Sequence, residues 1–248
     1  MKKQILIVFT LLLPIILFAQ PKIENAENFV NGTVLTFQNC ESENVEVGKS
    51  GKNQTWDFSS LKEKKDDLTI EEMILPQKTS FATKFPESNL VEKYSDGRLV
   101  FMNKTENENH LLGFVDTNSN MTMNYTKPML FAKRPIKFKD NFQGNYEAEY
   151  SVKGMDFKGK GEVSITADGY GTLILPNGKY ENVLRVKITQ KQTDTMKQYQ
   201  SQSTTETISY VWFDENHTSA LLKIDETKST YYNDKSVQYL LSEVINEK

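Results

Sequence analysis

Apolar and polar residues alternate in short runs from Thr33 almost to the carboxyl end, and beyond Gln20 no window keeps apolar side chains at helical spacing for several turns. A period of two, interrupted by turn residues, predicts an all-β fold. Leu90 to Tyr94 and Arg98 to Met102 flank Ser95-Asp96-Gly97, where glycine supplies the positive φ of a tight hairpin. His110 to Val115 and Met121 to Tyr125 flank a polar loop from Asp116 to Asn120. Further strands are predicted at Tyr146 to Val152, Gly161 to Thr166, Gly171 to Leu175, Tyr180 to Thr189, Thr205 to Phe213, Ala220 to Asp225 and Thr230 to Tyr232. Pro176-Asn177-Gly178 is the sharpest turn signal. The expected architecture is a mainly antiparallel meander, forming a sandwich or a strongly curved, partly closed barrel-like sheet.

Three stretches depart from this pattern. Lys62 to Asp67 carries charges of both signs and reads as a solvated loop or strand edge. Ser236 to Ile245 fits a last strand, but Val237, Leu240, Leu241 and Val244 also fit a short amphipathic helix. Pro128 and Pro135 make residues 127–135 the candidate boundary if the chain divides into two lobes. Lys187 and Lys191, interleaved along a strand, would protect an exposed sheet edge.

The amino terminus is of another kind. Lys2 and Lys3 precede an apolar run from Ile5 to Ala19, broken by Thr10 and Pro14 and followed by Gln20-Pro21. A basic region, an apolar core and a small residue at the cut site predict a signal peptide over residues 1–19, and hence export to the periplasm or beyond the cell. The run is shorter than the roughly 20 apolar residues a spanning helix needs, so no membrane span is expected after cleavage. The mature β-rich domain would cover residues 20–248, with no cysteine behind the cut to carry a lipid anchor.

Without Lys2 and Lys3 the 30 basic residues fall to 28 against 33 acidic, a net charge of −5. That balance gives a nucleic-acid partner no support. Cys40 is the single cysteine, which excludes an internal disulfide and reads as a small buried hydrophobe.

No motif assembles a catalytic or metal centre, and no cofactor is expected. Gly154, Gly159 and Lys160 have P-loop spacing, but Gly161 stands where Ser or Thr is required and a strand follows. Asp116, Asn118 and Asn120 have the odd spacing of a calcium loop, but Met121 and Lys127 replace its glycine and closing Glu. His110 and His217 stand far apart in the sequence. Paired acids suited to sugar hydrolysis occur at Glu147 with Glu149 and at Asp214 with Glu215, the latter behind Trp212 and Phe213.

Gln54-Thr55-Trp56-Asp57-Phe58-Ser59-Ser60-Leu61, Gly169 to Tyr180 with Asn182 to Val186, and Tyr210-Val211-Trp212-Phe213 leading to Leu221-Leu222 resemble a group of exported Bacteroidota proteins. Longer members of that group carry a C-terminal type IX secretion sorting domain, which is not evident in this chain. The resemblance implies export and β architecture, and its motifs are strand and turn signatures. Asp194-Thr195-Met196 resembles the acceptor motif for O-glycosylation in such bacteria, which would place a glycan on Thr195. The expectation is thus an exported, non-catalytic β domain that binds an envelope protein, a glycan or an apolar ligand. Trp56, Tyr210, Trp212 and Phe213 are the candidate ligand-binding residues. The alternatives are a carbohydrate-active hydrolase using paired carboxylates and a structural subunit of an envelope or surface assembly.

Overall fold

The computed structural model describes residues 20–246. The expected signal peptide lies outside them. In chain order the strands are β1 (Lys22–Ile23), β2 (Thr33–Cys40), β3 (Gly51–Asp57), β4 (Glu63–Ile74), β5 (Leu90–Tyr94), β6 (Arg98–Lys104), β7 (Glu108–Asp116) and β8 (Met121–Lys133). They continue with β9 (Ile136–Lys137), β10 (Asn141–Val152), β11 (Met155–Leu175), β12 (Gly178–Met196), β13 (Gln202–Phe213), β14 (Leu222–Ser229) and β15 (Asn233–Ile245).

Twelve strands form one closed antiparallel barrel, in the order β2, β4, β5, β6, β7, β8, β10, β11, β12, β13, β14, β15 and back to β2. Nearly every neighbour in space is a neighbour in sequence. The topology is therefore the expected meander, taken to full closure, and closure removes the barrel's own edges. Lys187 and Lys191 accordingly both lie on β12, paired on each side within the closed sheet, where Lys191 meets Glu206 at 3.4 Å, and protect no edge. β3 lies parallel to β11, taking over at Gly169 to Ile174 the edge that β10 leaves at Thr166.

Ser95 to Gly97 turns β5 into β6 as predicted, with Gly97 at φ 92°. Residues 176 and 177 join β11 to β12, and Asn177 Nδ2 anchors that turn on the Leu240 carbonyl at 2.9 Å. Other features differ from expectation. Gly161 to Thr166 and Gly171 to Leu175 belong to one strand, β11, which absorbs the intervening residues through two register shifts. Thr230 to Tyr232 is the tip between β14 and β15, with Tyr231 77% exposed, because the pairing ends at Ser229 and Asn233. β8 runs unbroken to Lys133, and strands from both sides of residues 127–135 share the same barrel. The carboxyl-terminal stretch is strand β15, and the charged run from Glu63 is the exposed start of β4.

Alternation divides the walls. Leu35, Phe37, Asn39, Glu71, Met73 and Lys223 point inward, while the residues between them point out. Two excursions cover the outside. Residues 41–62, including β3, bury Cys40, Tyr239, Ile224 and Trp212 beneath Trp56 and Phe58. Residues 75–89 bury Ile74, Val91, Leu99, Phe101, Leu112 and Val115 beneath Phe85. Phe85 stacks on Phe101 at 4.3 Å between ring centroids, directly over Gly113, where a Cβ would fall 1.8 Å from the ring.

The amino-terminal segment plugs one end of the barrel. Ile23, Ala26 and Phe29 are buried in the interior core, and β1 pairs with β9. Two hydrogen bonds to the Glu27 backbone hold the plug: Glu27 N–H donates to the Thr218 carbonyl at 2.8 Å, and the Asn109 side chain donates through Nδ2 to the Glu27 carbonyl at 2.7 Å. Arg134, 3% exposed, spends its guanidinium on the carbonyls of Ala26, Thr105 and Glu106 and on Asn109 Oδ1.

Candidate ligand cavity inside the barrel

Above the plug the barrel is not filled. A cavity of about 400 Å³ is bounded by Ala26 and Glu27 below and reaches the surface beside Ser236. One wall is apolar, with Ile165, Val186, Ile188 and Val211 on β11, β12 and β13. The opposite wall is polar, with Glu71, Glu92, Tyr94 and Lys223 on β4, β5 and β14. Such a combination of apolar surface with a few convergent polar groups is what small-ligand sites are made of.

The polar wall is a connected network. Lys223 Nζ donates to both oxygens of Glu71 at 3.3 and 3.4 Å and stands 4.1 Å from the centre of the Phe37 ring. Glu71 is 1% exposed, so it needs this cation. Burial works against the charge on Lys223, but Glu71, Glu27 and Glu92 together push its pKa up. Glu92, 5% exposed, lies beside Glu71, and burial first, with that neighbour, holds its carboxyl well above the usual carboxylate range. Glu27 is raised from 4.5 to about 7, by burial first, with Lys223 opposing and Glu71 adding to the shift.

The residues predicted from the sequence fall elsewhere, except one. Trp56, Tyr210 and Trp212 come together under the outer cover, around the buried guanidinium of Arg185 at 5.3, 5.4 and 5.7 Å from their ring centres. Asp168 grips Arg185 with both oxygens at 2.8 and 2.9 Å, and the carbonyl of Val47 fixes it to the cover. This cluster packs the cover onto the wall. Phe213, next in sequence to Trp212, faces the other way and lines the cavity. Thr195 lies half-buried on β12, with Gln202 Nε2 at 3.5 Å from its hydroxyl.

The remaining sequence candidates are accounted for locally. Glu147 and Glu149 pair with Lys160 at 3.4 Å and Lys158 at 3.2 Å. Asp214 accepts the backbone N–H groups of Asn216 and His217 and contacts His217 Nδ1 at 2.9 Å, which draws its carboxyl below the usual range against the effect of burial. Asp116 accepts the N–H groups of Asn118 and Ser119, so the odd acid spacing builds a turn. Among the described residues no set of three metal-ligating side chains converges. A wider depression, about 760 Å³, lies over Lys160, Glu162, Lys191, Glu206 and Lys228, where alternating charges neutralise one another across the wall.

Sequence reasoning passed over Glu27, Glu71, Glu92 and Lys223. For Glu71, Glu92 and Lys223 the signal was a charge on the inward phase of a strand, as in Leu90-Val91-Glu92 beside Met73 and Leu221-Leu222-Lys223 beside Val211, whereas Glu27, in a turn of the plug, carried no such signal. The fold and cavity define a closed antiparallel β-barrel with a charged interior site. No protein-family model, curated protein or solved structure matches the chain.

Proposed function

We propose that this protein is an exported, non-catalytic binding protein that holds a small ligand inside its barrel. The observation that carries the reading is the cavity of about 400 Å³ with buried carboxyls on one wall and branched aliphatic side chains on the other. A domain that only needed stability would have filled this space with apolar side chains, since buried ion pairs gain little over a packed core. Glu71, bonded through both oxygens to Lys223, is held as a paired carboxylate rather than left free as the second acid of a glycoside-hydrolysing pair. That supports binding over sugar hydrolysis. The basic and apolar residues before Gln20 support export to the periplasm or the medium.

Native mass spectrometry of protein purified from periplasm or culture medium tests this reading. The expected species begins at Gln20 and carries a small molecule that is lost on denaturation. A chain recovered only in the ligand-free state from both compartments overturns it.

One observation favours a second reading, an envelope assembly subunit. Ile70 and Val244 lie on the outer wall of β4 and β15 with Leu68 and Leu241 nearby, each at least 40% exposed. Cross-linking in intact cells, with and without Ile70→Lys, separates the two, because only an assembly contact would be lost.

A further inference from the structure

The charges facing the cavity do not balance, and the imbalance has a sign. Three cations border it, and each is already committed. Lys223 is bound to Glu71, Lys133 to Glu108 at 2.7 Å, and Arg98 to Asp96 at 2.7 Å with its guanidinium 4.4 Å over the Tyr94 ring. The acids are more numerous. Glu71 has its lysine, and Asp225, near the mouth, takes a hydrogen bond from Ser236. No cation is bonded to Glu92 or Glu27 among the described residues, although Lys223 and Arg134 lie near enough to Glu27 to favour its charge. Glu92 is 95% buried by its 5% exposure, borders the cavity, and receives no N–H or ammonium hydrogen bond among the described residues. The strands β11, β12 and β13 contribute only neutral side chains to the cavity.

We propose that the ligand is an organic cation, a primary amine or guanidinium on an apolar body, whose charge is taken by Glu92 and Glu27 while the body lies along Ile165, Val186, Ile188 and Val211. This assignment rests on the cavity being a binding site and adds the chemical class. An anionic ligand would have to draw Lys223 from Glu71 and would then face Glu92 and Glu27. A metal ion would find no converging set of three ligating side chains among the described residues. An ammonium group instead supplies the positive charge that neither Glu71 nor Tyr94, the groups beside Glu92, can offer. Burial favours the protonated form of both carboxyls. Binding of an ammonium ion ionises them, and the proton of each carboxyl that ionises passes to solvent.

Calorimetric titration of the processed protein with hexylamine, hexanoate and hexanol near neutral pH tests the proposal. Hexylamine is expected to bind best, with an apparent heat that changes with the ionisation enthalpy of the buffer because protons are released. Glu92→Gln is expected to weaken hexylamine by about tenfold while leaving hexanol unchanged, as loss of one charge-assisted hydrogen bond implies. The buffer dependence is measured on the unaltered protein, so it stands even if the variant fails to fold. Preferred binding of hexanoate or hexanol overturns the cationic class and leaves the binding reading intact. Absence of binding by all three also overturns the class, and a ligand-free native mass would then remove the binding reading as well.

Discussion

Replacing Glu27 by Gln isolates the cost of ionising a carboxyl between the plug and the cavity. The backbone on either side is pinned by Thr218 and Asn109, so the side chain cannot leave with its segment. Gln keeps the shape and removes the titration. Burial, the largest influence, raises the carboxyl from 4.5 to about 7. A raised acid contributes stability that is fully present below its unfolded pKa and lost as pH rises through its folded one. The shift corresponds to about 3 kcal/mol, and about 2 kcal/mol once the part of Glu27 that water reaches is allowed for. The advantage of Glu27→Gln over the parent should therefore grow by about 2–3 kcal/mol across the window from 4.5 to about 7 and stay level above it. Relief of Glu92, whose carboxyl Glu27 pushes up, acts in the same direction. Urea melts followed by circular dichroism at several pH values through and beyond that window measure the difference. A difference that does not change with pH refutes the reasoning.

Lys223→Met leaves Glu71, 1% exposed, without its cation, and should cost about 3–5 kcal/mol in the same melts, while adding Glu71→Gln should restore most of it. Gly113→Val places a side chain where the Phe85 ring lies and should destabilise by about 2–3 kcal/mol, with Phe85→Ala removing most of the additional penalty. Cys40 is 1% exposed and burial raises its thiol to about 11, so a disulfide reagent should fail to label it in the native protein and label it promptly in urea. Rapid native labelling would place Cys40 at the surface and contradict the outer cover.

Much of the wall was legible from alternation, because each strand has one face on a core and the turns are marked by Gly97 and Asn177-Gly178. Closure was less so. A meander reads the same whether its first and last strands meet or not, and the pairing of β2 with β15 depends on twist accumulated over the whole sheet. The sequence pattern divides β11 between Thr166 and Gly171, where the alternation is interrupted by Asp168 and Gly169. The strand in fact continues there, and Gly171 admits the backbone of β3, where a Cβ would lie 1.9 Å from the Gln54 carbonyl oxygen. The aromatic residues chosen as ligand contacts were conspicuous by size, and size serves packing as well as binding. Glu92 and Lys223 were legible only as charges on an apolar phase, and that phase is fixed by register, which the chain alone does not display.

Methyl-resolved NMR of the isoleucines during a hexylamine titration tests the central claim that the barrel interior is a binding site. Ile136, Ile165 and Ile188 line the cavity, Ile224 is buried under the outer cover, and Ile70 and Ile245 are exposed. Shifts should appear at the first three and leave the others in place. Shifts at Ile70 or Ile245 with none at Ile165 and Ile188 would contradict an interior site.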